Sequence, residues 1–149
     1  KAICFKQALE PEFKEYQQQV VTNAKALSSG LQKQGFKLVS KGTSNHLILI
    51  DLSNESISGK AFEIGLGEAA ITVNKNTVPN ETRSPFVTSG IRVGTPAVTS
   101  RGMKEAQMHE IAILFKEVWD HLEKVEALHK IKARVIELSK SFPLYPDWS

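Results

Sequence analysis

The run Thr88-Ser89-Gly90-Ile91-Arg92-Val93-Gly94-Thr95-Pro96 decides how the chain is built. Ile91-Arg92-Val93 is a short strand-like segment closed at both ends by glycine. Thr95-Pro96 then reads as a helix cap followed by proline in the first turn, where a missing N–H is tolerated. Side chains alternate along a strand, so Ile91 and Val93 face one way and Arg92 the other. The apolar side calls for a core. On the opposite side the flanking glycines leave the backbone open to close approach, and the guanidinium is a planar fork of donors that matches a carboxylate bidentately. These residues alone leave two uses open for Arg92: a clamp for a ligand carboxylate, or an internal pair with an Asp or Glu.

Upstream, residues 74–90 turn polar and carry proline (Pro79, Pro85), a long loop of the kind that is functional or disordered in compact domains. Before it, Ile71-Thr72-Val73 reads as a strand, with Asn74-Lys75-Asn76 directly after it. An asparagine amide both donates and accepts, which suits the edge of a heterocycle; an ordinary Asx turn explains the same residues. Ser58 can cap a helix over Ala61, Phe62, Leu66 and Ala69, although Gly65 and Gly67 weaken it. Phe36 to Ser40 and His46 to Leu52 read as a hairpin across Lys41-Gly42-Thr43-Ser44-Asn45. Pro11 opens an amphipathic helix through Phe13, Val20, Ala24, Leu27 and Leu31, with Gly35 as its C′ residue. Downstream, Met108 to Leu122 and Leu128 to Leu138 give two helices, ended by Pro143 and Pro146. The expected fold is α+β, a small antiparallel sheet packed with helices in one domain over residues 1–149.

Composition limits the functions available. The 149 residues are 41% hydrophobic and 23% charged, ordinary for a globular domain. The chain opens at Lys1 inside an apolar, helix-like run with no initiator methionine, so it reads as a piece of something longer. No stretch has the length of a membrane span and no leader pattern is present, from which a soluble, cytoplasmic protein without membrane partners is expected. The net charge of +3 suggests nucleic acid, but the charges form no basic stripe. The C-terminal charges interleave (Lys116, Glu117, Asp120, Glu123, Lys124, Glu126), which marks a solvated helix face, and nucleic-acid binding is not expected. Cys4 has no partner for a disulfide or a metal site and is expected in the core, and His46, His109, His121 and His129 form no metal-ligand pattern. No phosphate-binding glycine loop and no Ser/His/Asp grouping is present.

Several segments carry a resemblance. Ile71-Thr72-Val73-Asn74-Lys75-Asn76, the block from Ser84 to Ala97, and Thr99-Ser100-Arg101-Gly102-Met103 resemble the C-terminal part of bacterial-type serine hydroxymethyltransferases. Glu12-Phe13-Lys14, Val20 to Leu27 and Gly42-Thr43-Ser44-Asn45-His46-Leu47 resemble them too, so the likeness spans nearly the whole chain. It implies the C-terminal domain of an aminotransferase-like homodimeric enzyme that passes a one-carbon unit between serine and tetrahydrofolate, leaving glycine, with pyridoxal phosphate as electron sink. It further implies that Arg92 binds the substrate carboxylate, that Asn76 contacts the folate pteridine, and that Ser84, Pro85 and Phe86 line the folate site. The family's cofactor lysine follows a histidine at the end of a threonine-rich run, and no lysine here has that setting, so catalytic residues are expected outside these 149 positions. The alternative is a non-catalytic α+β ligand-binding or interaction module that keeps the family's shape without its chemistry.

Overall fold

Residues 1–144 are described by the computed structural model, in the order α1 (Ala2–Gln7), α2 (Pro11–Lys33), a 3₁₀ turn (Val39–Lys41), β1 (Leu47–Asp51), α3 (Gly59–Glu68), β2 (Asn74–Asn76), β3 (Gly90–Gly94), α4 (Pro96–Ser100), α5 (Glu105–Asp120) and α6 (Val125–Lys140). Pro146 lies outside the described residues. The fold is α+β as expected. The antiparallel sheet has the order β1-β3-β2, so the last strand in sequence is the central one. Leu49 stands opposite Arg92, and so does Asn74 from the other side. Directly paired residues share a face. Ile48, Ile50, Ile91 and Val93 therefore form the inner face, all buried, against a core that includes Leu27, Leu31, Phe62, Met108 and Phe115.

Both long N-terminal helices end by the same device. In α2, Gly35 at φ 90° lets Phe36 N–H reach Leu31 O (3.0 Å) and Gly35 N–H reach Gln32 O (2.9 Å). This is a Schellman ending, with glycine in the left-handed position as the sequence suggests. In α3 the left-handed residue is Ala70 (φ 61°), and Ile71 N–H donates to Leu66 O at 2.8 Å. That cap commits Ile71 to the helix end, so the strand expected at residues 71–73 begins three residues later, at Asn74. Ile71 and Val73 pack onto the core instead.

The expected hairpin does not form. Leu38 makes one bridge to Ile50, after which Ser40 (φ 59°), Lys41 (φ 55°) and Gly42 (φ 147°) turn the chain away from the ladder. β1 pairs instead with β3, far downstream. Thr95 also departs from expectation: its hydroxyl does not cap α4 but donates to Val20 O at 2.8 Å. Buried Asn23 continues this stitching of α2 to α4, donating to Thr99 Oγ1 and Met103 O, each at 2.9 Å. Cys4, expected in the core, is exposed, because α1 buries none of its residues.

Gly65, which weakened the expected helix, has a packing reason. A Cβ there would lie 2.2 Å from Leu122 Cδ2, so α3 needs glycine where the chain leaving α5 presses on it. Among the described residues no helix is long and apolar enough to cross a membrane.

Candidate functional site

Since Ile91 and Val93 are fixed inward, Arg92 must project outward from the middle of the central strand, and it is exposed. Its guanidinium has no hydrogen bond or ion pair among the described residues, which leaves the internal-pair reading without a partner. Leu49 lies beside it across the ladder, and Asn74 and Asn76 come from β2 on the other edge. A Cβ on Gly90 would lie 2.7 Å from Asn76 O and 3.1 Å from Leu49 Cδ1, so glycine is required for strands and side chains to close up beside Arg92.

Arg92, Asn76 and Leu49 line a cleft of about 650 Å³ together with the segment Val39 to Asn45. That segment is braced. Asn45 Oδ1 accepts from Leu47 N–H (2.8 Å), Thr43 Oγ1 donates to Leu47 O (2.6 Å), and Gln32 Nε2 donates to Lys41 O (3.2 Å). Among the described residues no carboxylate lines the cleft. The sequence signal for this segment was present in Gly42-Thr43-Ser44-Asn45-His46-Leu47, but as a hairpin turn it would have served only to join two strands. Asn76, expected just beyond a strand, is instead its last residue, and its Nδ2 donates to Thr77 O at 2.7 Å, leaving Oδ1 free to accept.

Ser84, Pro85 and Phe86 lie elsewhere. All three are exposed, Phe86 at 80%, and none lines the Arg92 cleft. They form a turn in which Ser84 O accepts from Val87 and Thr88 N–H, both at 2.9 Å. The turn is docked on α3, whose first N–H groups from Gly59 and Lys60 donate to Thr88 O (3.0 Å) and Val87 O (2.9 Å). Ser58 Oγ accepts the next, from Ala61 at 3.1 Å. A Cβ on Gly59 would lie 2.5 Å from Gly90 O, so this helix start abuts the strand that carries Arg92.

The loop of residues 77–89 buries Val78, Thr88 and Ser89 and is tied together by side-chain hydrogen bonds. Glu81 is its hub, accepting from Ser89 N–H (2.7 Å), Ser89 Oγ (2.6 Å) and Arg83 N–H (2.9 Å). Arg83 in turn donates to the carbonyls of Leu52, Ile57 and Glu55. Burial raises the Glu81 pKa, but the donors from Ser89, Arg83 and Val78 outweigh it and hold the carboxyl down at about 2. A depressed folded-state pKa contributes stability that is complete above the ordinary value of 4.5 and is lost as pH falls toward 2. Urea midpoints measured across that window should therefore fall for the native chain. In Glu81→Gln they should start lower at neutral pH and fall less steeply; an unchanged acid slope would remove Glu81 as the loop's hub. The hub and Arg83 escaped the sequence reading because neither residue has a periodic or motif signal.

The comparisons with known proteins bear on this arrangement. The family model "Serine hydroxymethyltransferase" matches residues 1–115. A curated relative from Alkalilimnicola ehrlichii (strain ATCC BAA-1101 / DSM 17681 / MLHE-1), named serine hydroxymethyltransferase, is 52% identical over 145 residues, which is 97% of this chain and 35% of the relative. The chain belongs to the serine hydroxymethyltransferase family. It spans about a third of the length of that relative. The resemblance drawn from the motifs is thus supported by a match over almost the whole chain, and the α+β fold agrees with it.

Proposed function

We propose that this chain is the C-terminal domain of a serine hydroxymethyltransferase, completing the site in which serine and glycine are interconverted with tetrahydrofolate as one-carbon acceptor. The observation that carries the reading is Arg92: a guanidinium held on the central strand and lining a cleft, with no partner and no lining carboxylate among the described residues. In this reading its fork takes the amino-acid carboxylate and fixes the orientation of the attached Cα. Asn76, on the neighbouring strand, offers its free Oδ1 to a pteridine donor, and Ser84, Pro85 and Phe86 form a separate, exposed wall for the folate. The enzyme would be a cytoplasmic homodimer.

Pyridoxal phosphate supplies the electron sink in such enzymes, and the residues here do not fit it. No lysine among the described residues is buried, and the only one lining the cleft, Lys41, is exposed. No step through the cofactor is assigned to this chain. On its own the 149-residue chain should form no stoichiometric, borohydride-reducible aldimine when mixed with pyridoxal phosphate. The absorbance spectrum before and after reduction checks this, and one labelled lysine per chain would place the cofactor site inside these residues.

The assignment of Asn76 is tested in the complete enzyme. Asn76→Ala should weaken folate-dependent turnover about tenfold while leaving serine affinity nearly unchanged, given roughly 1 kcal/mol or a little more for a hydrogen bond lost in a protected site. Impaired serine binding with normal folate dependence would reverse the roles given to the two strands.

A further inference from the structure

Asn76 and Arg92 sit on neighbouring strands that no tight turn joins. In a short hairpin the turn fixes the register of its two strands. Here residues 77–89 lie between them, and β2 is only three residues long, meeting β3 through Asn74↔Arg92, Lys75↔Ile91 and Asn76↔Gly90. A slip of one residue would turn Asn76 to the other face of the sheet and take it away from Arg92.

The Glu81 carboxylate stands where the missing turn would act. Its Oε2 accepts from Val78 N–H (3.4 Å), two residues past the end of β2, and from Ser89 N–H (2.7 Å), directly before β3. Its Oε1 accepts from Ser89 Oγ (2.6 Å) and Arg83 N–H (2.9 Å). Ser89 O in turn accepts from Leu52 N–H at 2.7 Å, just past β1, so Ser89 joins the clasp to the third strand as well. Val78 is buried against the start of β3, where a Cβ on Gly90 would lie 2.8 Å from its Cγ1.

We infer that Glu81 is a positioning residue for the substrate site: its carboxylate clasps β2 to β3 in the register that sets Asn76 beside Arg92. It acts through those two residues, and the inference rests on the reading of Arg92 as a carboxylate clamp. Glutamine is not an equivalent. Both carboxylate oxygens accept from a backbone N–H, whereas an amide has one oxygen and one NH₂ group, which would meet a backbone N–H whichever way it turns.

The test is made in the complete enzyme, assayed below the thermal midpoint of every variant. Glu81→Gln should raise serine KM by about three- to tenfold and change kcat by less than about twofold, because a small displacement of a binding group costs affinity while the reacting groups stay in place. In the Arg92→Ala background the same substitution should leave serine KM unchanged, since the group it positions is gone. Ile131→Val trims the buried face of α6 away from the loop, loses stability, and should leave serine KM as it is. Ser89→Ala removes one donor to the clasp and should raise serine KM by about two- to threefold, which decides the matter if Glu81→Gln does not fold. The inference is overturned if serine KM responds to Arg92→Ala but to neither loop variant, if Glu81→Gln adds its full effect to that of Arg92→Ala, or if Ile131→Val raises serine KM as much as Glu81→Gln. If Arg92→Ala itself leaves serine KM unchanged, the clamp reading fails and the inference falls with it.

Discussion

Arg92→Ala in the complete enzyme should lower serine affinity by about one to two orders of magnitude with the fold intact. A hydrogen bond to a charged group is worth roughly 1.5–3 kcal/mol, and each 1.4 kcal/mol is about tenfold in affinity. The fold should survive because Arg92 is exposed and has no partner among the described residues, so its removal strands no buried group. Arg92→Lys keeps the charge and loses the fork, and should recover only part of the affinity. The paired measurements are serine KM and the thermal midpoint. An unchanged KM with an unchanged midpoint would make Arg92 an ordinary surface residue and take away the observation on which the proposed function stands.

Phe62→Ala should cost about 3–5 kcal/mol of stability, the largest effect of any single truncation argued from this structure. Phe62 is fully buried on α3 and meets three other rings. Trp119 stands edge-on at 5.0 Å between centroids, Phe36 is stacked at 5.8 Å, and Phe115 is edge-on at 6.1 Å. These are the favoured geometries of aromatic pairs, so the substitution loses specific ring contacts as well as buried area. The four residues come from the end of α2, from α3 and from two turns of α5, so the void left cannot be closed by shifting one element. For a domain of this size the thermal midpoint should fall by ~10 °C. A loss under about 1 kcal/mol would mean that the neighbouring rings collapse into the space and that the cluster is not the hub the geometry describes. Phe62→Leu should recover about half, since it keeps most of the volume and none of the ring contacts.

The helices were legible because their signals are local. Pro11 at the start of α2, Gly35 at its end and Ser58 ahead of α3 each act within a few residues, and each appears where the sequence suggests. Strand pairing is not local. His46 to Leu52 was recognisable as a strand, but its partner is chosen by the inner apolar face shared with Ile91 and Val93, while the left-handed turn at residues 40–42 withdraws the neighbour that a hairpin would have used. The three-residue offset of β2 arises from a helix cap that used alanine, not glycine, in the left-handed position, which no pattern of residue types reveals. Of the site, Arg92 and Asn76 were named from sequence and do share one cleft. Ser84, Pro85 and Phe86 do not line it and stand exposed in the turn docked on α3.

The central position of β3 has a consequence for how the domain is made. Synthesis delivers β1, then α3, then β2, and the two strands already present are not neighbours in the finished sheet. Until residues 90–94 emerge from the ribosome, β1 and β2 are two unpaired edges with no native ladder to join. The nascent chain up to Ser89 must therefore keep the apolar Leu47-Ile48-Leu49-Ile50 run from pairing wrongly, with the packing of α2 against α5 also unavailable because α5 follows β3. The strand that bears the proposed carboxylate clamp is thus also the piece whose arrival closes the sheet, so the sheet and the surface around Arg92 form in one step, and the core they share with α5 is completed only afterwards.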